Sequence, residues 1–308
     1  MQSPTLSLLI PCFNAESSIV DLLGKALSQG VSFDEIICYD DGSTDKTSEV
    51  IRSFKGVQLL SGRLNKGPSY ARNRLAEAAK SDFLHFHDAD DSLSLDFVEN
   101  MLLHLSEDVV AYCDMKTSYN EKTYYSSALQ VNDEHGVLLG VIQQMLHLNR
   151  TVFPKQAFLK AGGFNEQIDV CEDKLLTIQL ALLGLTFKHV DKTLVHRVRQ
   201  TGSLLDRKSW NEKEMALVVM YEQILQNIPD SLRPYVGEKI LNAAWNLHYR
   251  GFIKDSQYAV KVARSFGICG WTSSNTFLTF CSRIIGIDNF FAARKTWSSL
   301  LNNERLIE

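Results

Sequence analysis

The sequence predicts an α/β fold, a mostly parallel, doubly wound sheet with helices on both faces, followed by a C-terminal helical region. Three observations predict it. Through the first hundred residues, apolar runs of period 2 alternate with runs of period 3.6, the βαβ signature of a parallel sheet. Short Gly, Pro, Ser and Asp clusters punctuate the alternation where strands should turn into helices. From about Asp206 onward the pattern changes to helix after helix, with turns near Asn227 to Asp230, Gly251 and Gly270. The expected division is therefore a domain at 1–205 and a helical region at 206–308.

Taken in order, LSLLIP (6–11) reads as a strand, and 16–29 as a helix with Leu22, Leu23, Ala26 and Leu27 on one face. EIICYD (35–40) is the next strand, and GSTDKTSEVIRSF opens a helix with a Ser/Thr/Asp capping signal. VQLLS, the helix PSYARNRLAEAAK, the strand FLHFH and a helix starting near Ser94 complete four βα units. VVAYCDM (109–115) adds a strand. The polar, Tyr-rich tract 116–135 is expected to be a hairpin or mobile loop. VLLGVIQQMLH and EDKLLTIQLALLG (172–184) read as helices, and FKHV and TLVHRVR as two further strands.

Composition narrows the function. With 308 residues, 45% apolar and 22% charged, the chain can bury a substantial core. A net charge of −4 argues against nucleic acid as the main partner, which needs a concentrated basic face. The six cysteines form no CxxC pair, so neither a zinc site nor a disulfide framework is expected and a reducing cytosol fits. MQSPTLSLLIPCFN lacks a basic leader, and Pro11 breaks its apolar run, so it reads as neither signal peptide nor anchor.

In a doubly wound sheet the loops after the strands form the binding crevice. The first supplies Pro11, Phe13, Asn14 and Glu16, the second Asp40, Asp41, Gly42 and Ser43, and the fourth Asp88, Asp90 and Asp91. Carboxylates this close need a shared positive partner. A nucleotide would satisfy the arrangement, with Asp40 or Asp41 accepting from a base or ribose and the Asp88–Asp91 cluster holding a divalent cation on the diphosphate. Arg63, Lys66 and Arg72 from the third loop and its helix are candidate phosphate or sugar contacts. That loop is not a Walker A: Pro68-Ser69 stands where Lys-Ser/Thr is required, and no GxGxxG follows the first strand. Each group also has a bland reading. Asp40 and Asp41 could simply make a turn and cap a helix, and Glu172 and Asp173 could serve only the helix dipole. His85 and His87 are assigned no catalytic role, and Cys12, Cys38 and Cys171 read as small buried fillers.

PCFNAE, EIICYDDGSTDKT, NKGPSYARN, HDADD, AGGFNE and CED, in this order, resemble the family-2 glycosyltransferases over about residues 5–205. The resemblance implies a GT-A, Rossmann-like fold and inverting transfer of a sugar from a nucleotide-diphosphate donor, a UDP-sugar being favoured. It also implies a divalent metal, manganese or magnesium, held by the DxD carboxylates. Position by position it puts Asp40 at the base, Asp88 at the ribose or sugar, Asp90 with help from Asp88 at the metal, and Asp173 at the catalytic base beside Glu172. Where the family often has a His after the Glu-Asp helix, HRVRQTGS keeps Arg197 and has Arg199, either of which could bind the diphosphate. The implied partners are the donor and a saccharide or lipid-linked acceptor in surface polysaccharide or glycan assembly. The rival readings are a metal-dependent nucleotidyltransferase and a silent nucleotide-sugar-binding protein. The helical tail could rest on the inner face of a membrane, but helical packing or a homodimer is the preferred expectation, with Trp245, Trp271 and Phe290 in its core.

Overall fold

The computed structural model describes residues 3–126, 128–131, 136–168, 170–198 and 208–269, together with 287, 290 and 291. Contacts divide the chain into two units, Met1–Ser203 and Leu204–Glu308. The expected boundary at Asp206, Arg199, Trp271 and most of 270–308 lie outside the described residues.

The first unit begins with three βα units and a fourth strand: β1 (Leu6–Cys12), α1 (Ile19–Leu27), β2 (Glu35–Asp41), α2 (Thr47–Arg52), β3 (Val57–Gly62), α3 (Pro68–Ala78) and β4 (Phe83–Phe86). After them come β5 (Ser92–Leu93), α4 (Phe97–Leu102), β6 (Val109–Tyr119), β7 (Lys122–Ser126) and α5 (Gly136–Gln143). A 3-10 turn (Leu148–Arg150), β8 (Thr151–Pro154), α6 (Lys155–Lys160), α7 (Glu172–Leu182) and β9 (Thr186–Val198) complete it. The strand order is β3-β2-β1-β4-β8-β6-β9-β5, with β7 hung on β6. The first four strands are parallel, as the βαβ pattern dictates.

Beyond β4 the sheet becomes mixed. β8 runs antiparallel to both β4 and β6, β6 and β9 are parallel, and β5 is antiparallel to β9. Reversal of β8 has a consequence for function: His85 pairs with Val152, so the 3-10 turn preceding β8 arrives at the carboxyl end of β4. The Tyr-rich tract contains the β6–β7 hairpin, with Tyr119 opposite Lys122. FKHV and the described part of TLVHRVR, to Val198, are one strand, because β6 and β9 absorb the intervening residues at register shifts around Asp114.

Period-2 alternation sends Leu8 and Ile10 to one face and Leu9 to the other. On the first face they pack with Leu22, Leu23, Ile51 and Phe97 of α1, α2 and α4. On the second, Leu9 and Ile37 pack with Leu75, Phe158 and Leu176 of α3, α6 and α7. Each such side chain contributes about 1.5–3 kcal/mol on full burial. Because α1 and α2 cover one face and α3 the other, the order reverses at β1, and the crevice opens at the carboxyl ends of β1 and β4.

In the second unit, α8 (Trp210–Leu225), α9 (Arg233–Tyr249) and α10 (Ile253–Ser265) pack through Val218, Tyr221, Ile240, Leu247 and Ala263. A capping box between Ser209 and Glu212 starts α8. Arg250 stacks on Trp210 at 4.1 Å. Phe290 is buried, while Trp245 is half-buried with its ring 5.5 Å from that of Phe291. Among the described residues no helix is long and apolar enough to cross a membrane.

Candidate active site

The first two loops are laced to each other. Asn14, at φ 51°, donates its backbone N–H to Ser43 Oγ (2.9 Å) and accepts from the Thr44 N–H at Oδ1 (2.9 Å). Glu16 Oε2 accepts from the Lys46 N–H (2.8 Å), and Thr47 Oγ1 from the Ala15 N–H (2.7 Å). Asp40 and Asp41 are both buried. Asp40 accepts from the Ser43 N–H and the Ser48 hydroxyl. Asp41 takes the N–H groups of Lys66 (3.0 Å) and Gly67 (2.7 Å), tying the second loop to the third. The turn is therefore present, but neither carboxylate caps α2, whose N-cap position is Lys46 with no side-chain cap. Gly42 is required here: it has φ 76°, and a Cβ on it would lie 2.9 Å from backbone atoms of Leu64 and Asn65. Phe13 is exposed at the rim and Pro11 half-buried beneath it. The Lys66 ammonium sits 4.4 Å from the centre of the Tyr70 ring.

The Asp88 loop and the Glu172-Asp173 pair meet through one cation. Arg72, on the inward face of α3, is buried and forks between Asp88 Oδ1 and Glu172 Oε1, each at 2.8 Å. Burial alone would push Asp88 up, but the guanidinium outweighs it and holds the carboxyl below its ordinary value. Asp90, two residues on, has the opposite character. It is exposed and makes no hydrogen bond or ion pair with another side chain among the described residues. Partial desolvation at the base of the loop, then the Asp88 charge, push it above the ordinary range.

Asp91 points inward. Its carboxylate accepts from the Asn149 amide and the Val198 N–H (3.2 Å), linking the loop to the 3-10 turn and to the end of β9. Burial, then Asp88 and Asp90, push it up to about 8. Arg197 faces this cluster and partly offsets all three carboxylates. His147, in the same neighbourhood, is held neutral, its pKa lowered to about 4 by burial and then by Arg197 and Arg150.

At the start of α7, Cys171 is left-handed (φ 67°), a conformation that costs a non-glycine residue about 1–3 kcal/mol and is concentrated at functional sites. It is half-buried, less enclosed than the filler expected. The kink turns two consecutive carboxylates into the crevice. Burial raises Glu172 to about 7, with Arg72 opposing and Asp173 adding. Burial also raises Asp173, whose Oδ1 receives the Lys174 N–H at 2.7 Å while no described residue donates to its second oxygen.

The structure thus gathers Arg72, Asp88, Asp90, Glu172, Asp173 and Arg197 at one rim, and puts Asn14, Glu16, Asp40 and Asp41 in the scaffold of the adjoining loops. His85 and His87 are both buried in packing, with His85 joined to the Thr151 carbonyl (2.9 Å) and to His87 (3.2 Å). Asn149 and His147 escaped sequence reasoning. The segment carrying them has no motif, and only the antiparallel β8 brings it to the rim.

A model of the family described as "Glycosyl transferase family 2" matches residues 7–163. A Haemophilus influenzae protein named "Uncharacterized glycosyltransferase" is 32% identical over 149 residues, 43% of this chain and 60% of that protein. Hyaluronan synthase of Pasteurella multocida is 28% identical over 228 residues, 72% of this chain but 23% of that enzyme. The chain thus spans less than two thirds of the length of these relatives. The crystal structure of S. aureus TarS 1-349 in complex with UDP-GlcNAc superposes with a TM-score of 0.73 at 18% identity, covering 96% of this chain and 92% of that one. At that identity the likeness establishes the fold alone.

Proposed function

The chain belongs to glycosyl transferase family 2, and on that premise we propose that it moves a sugar from a nucleotide-diphosphate donor, a UDP-sugar in preference, to a hydroxyl of a saccharide or lipid-linked acceptor with inversion. The observation that carries this reading is the Arg72 fork. It joins Asp88 on the donor-side loop to Glu172, and so brings the adjacent Asp173 into the same crevice.

In this reading the first two loops enclose the base and ribose, which Asp40 and Asp41 pre-shape by holding backbone N–H groups in place. A magnesium or manganese ion fits the Asp88–Asp90 loop, because the Asp90 carboxylate is exposed, unpaired and crowded by negative charge. Magnesium takes only one or two protein carboxylates beside phosphate oxygens, and Asp90 with Asp88 supplies that number. When bound, the metal neutralises charge developing on the departing diphosphate. Arg197 supplies a second positive group to the same oxygens. Asp173 accepts the acceptor hydroxyl proton at its uncommitted oxygen, aided by a raised affinity for protons. Glu172, held by Arg72, orients the start of α7. Attack from the opposite face in one displacement gives the inverted product.

The test is a thermal-shift and turnover screen of nucleotide diphosphates and their sugars, with and without manganese, followed by determination of the product anomer. Stabilisation by UDP and an inverted product are expected; a ligand at a hundred times its Kd adds about 2.7 kcal/mol. Stabilisation by adenine nucleotides alone, or a retained anomer, would sink the reading.

A further inference from the structure

We propose that Asp91 is a positioning residue that sets Arg197 against the donor diphosphate, acting through the end of β9 and not through a metal. The proposal rests on the reading of Arg197 given above.

Neighbouring carboxylates on this loop have divided geometry. Asp90 is exposed, whereas Asp91 is only 5% exposed and both its oxygens are taken by protein donors. One accepts from the amide of Asn149, itself buried on the 3-10 turn, and the other from the Val198 N–H at 3.2 Å. The Asp91 N–H closes the loop on the Asp88 carbonyl at 3.2 Å. A carboxylate so engaged is a fastener among three segments.

What it fastens is the residue after Arg197. On its β5 side, β9 pairs through Leu93 with Val195 and Ser92 with His196, and toward its carboxyl end that ladder stops one residue short of Arg197. Asp91 continues the restraint past the end of the ladder by taking the N–H of Val198. On the other side Thr117 pairs with Arg197 and Ser118 with Val198. The backbone of Arg197 is thus held from both sides only because Asp91 lies beyond Ser92. Loss of that tie frees one edge of the strand at the point where the guanidinium leaves it, while the loops assigned to the base and ribose are untouched.

The experiment measures UDP and uridine affinities calorimetrically in manganese for the parent, Arg197→Ala, Asp91→Ala, Asp91→Asn and the double alanine variant. Arg197→Ala should lower the preference for UDP over uridine by about tenfold, the weight of one charge-assisted contact. Asp91→Ala should lower it similarly with uridine binding unchanged, and the double variant should lose no more than Arg197→Ala. Asp91→Asn should recover most of the preference, because its amide oxygen still accepts from Val198 while Asn149 turns its own oxygen to the new amide nitrogen. Should Asp91→Ala fail to fold by circular dichroism, Asn149→Ala, which removes one side of the fastening, should show the same selective loss. An unchanged preference in the folded Asp91 or Asn149 variant alongside a loss in Arg197→Ala, or additive losses in the double variant, would overturn the proposal. No loss in Arg197→Ala would instead reject Arg197 as a diphosphate contact, and the proposal with it.

Discussion

Arg72 and Glu172, one hundred positions apart in the chain, form a 2.8 Å ion pair, and the same guanidinium holds Asp88 at 2.8 Å. This single side chain makes the start of α7 and the loop after β4 one body. Its burial means the three groups stand or fall together.

Arg72→Ala is therefore expected to destabilise the fold by about 3 kcal/mol, the lower end of the range for leaving buried charge unpaired, since Asp88 keeps 35% of its side chain exposed. Arg72→Lys should be intermediate, because one ammonium cannot reproduce the planar fork. Urea unfolding at pH 7 measures both. An alanine variant with the parent's midpoint would show that the fork carries no weight.

Asp173→Asn keeps size and helix position but cannot take a proton, so transfer should slow by roughly 10² to 10⁴ while UDP still binds. Glu172→Gln should cost less, as the amide oxygen still accepts from Arg72. Calorimetric donor binding and turnover in the same preparations separate chemistry from folding, and near-parent turnover in Asp173→Asn would exclude it as the base.

Asp90→Ala should leave the melting temperature close to the parent's without metal, because an exposed, unpaired carboxylate is being removed from a crowded loop. The manganese-dependent rise in melting temperature with UDP should disappear. A retained rise would place the metal elsewhere.

His85 and His87 predict acid sensitivity. Burial, and for His85 then the charge of His87, lower their pKa values from 6.5 to about 3 and about 4. A depressed histidine contributes stability present above pH 6.5 and lost progressively as pH falls toward 4 and 3, because the unfolded chain binds the proton first. Urea midpoints between pH 7 and 4 should fall more steeply in the parent than in His85→Gln/His87→Gln, even if that variant is weaker at pH 7. Parallel slopes would remove the pair as the cause.

Much of this protein is determined by local sequence. The first four strands and the helices between them follow from apolar periodicity, which needs only neighbouring residues to declare a face, and Asp88, Asp90, Glu172 and Asp173 stand out because their motifs are contiguous. β5 and β8 escape this reading, since β5 has only two residues and TVFP of β8 shows no apolar–polar alternation. Tertiary structure alone decided how the groups are used. HDADD does not reveal that Asp90 faces outward while Asp91 turns in to Asn149 and Val198, because those partners lie 58 and 107 positions away. Nor does ARN reveal that Arg72 meets Glu172, since that pair exists only when α3 and α7 pack on the same sheet face. Charge density along a chain is a local property, but the sign and strength of the field at each carboxylate depend on burial and on cations that only folding brings near.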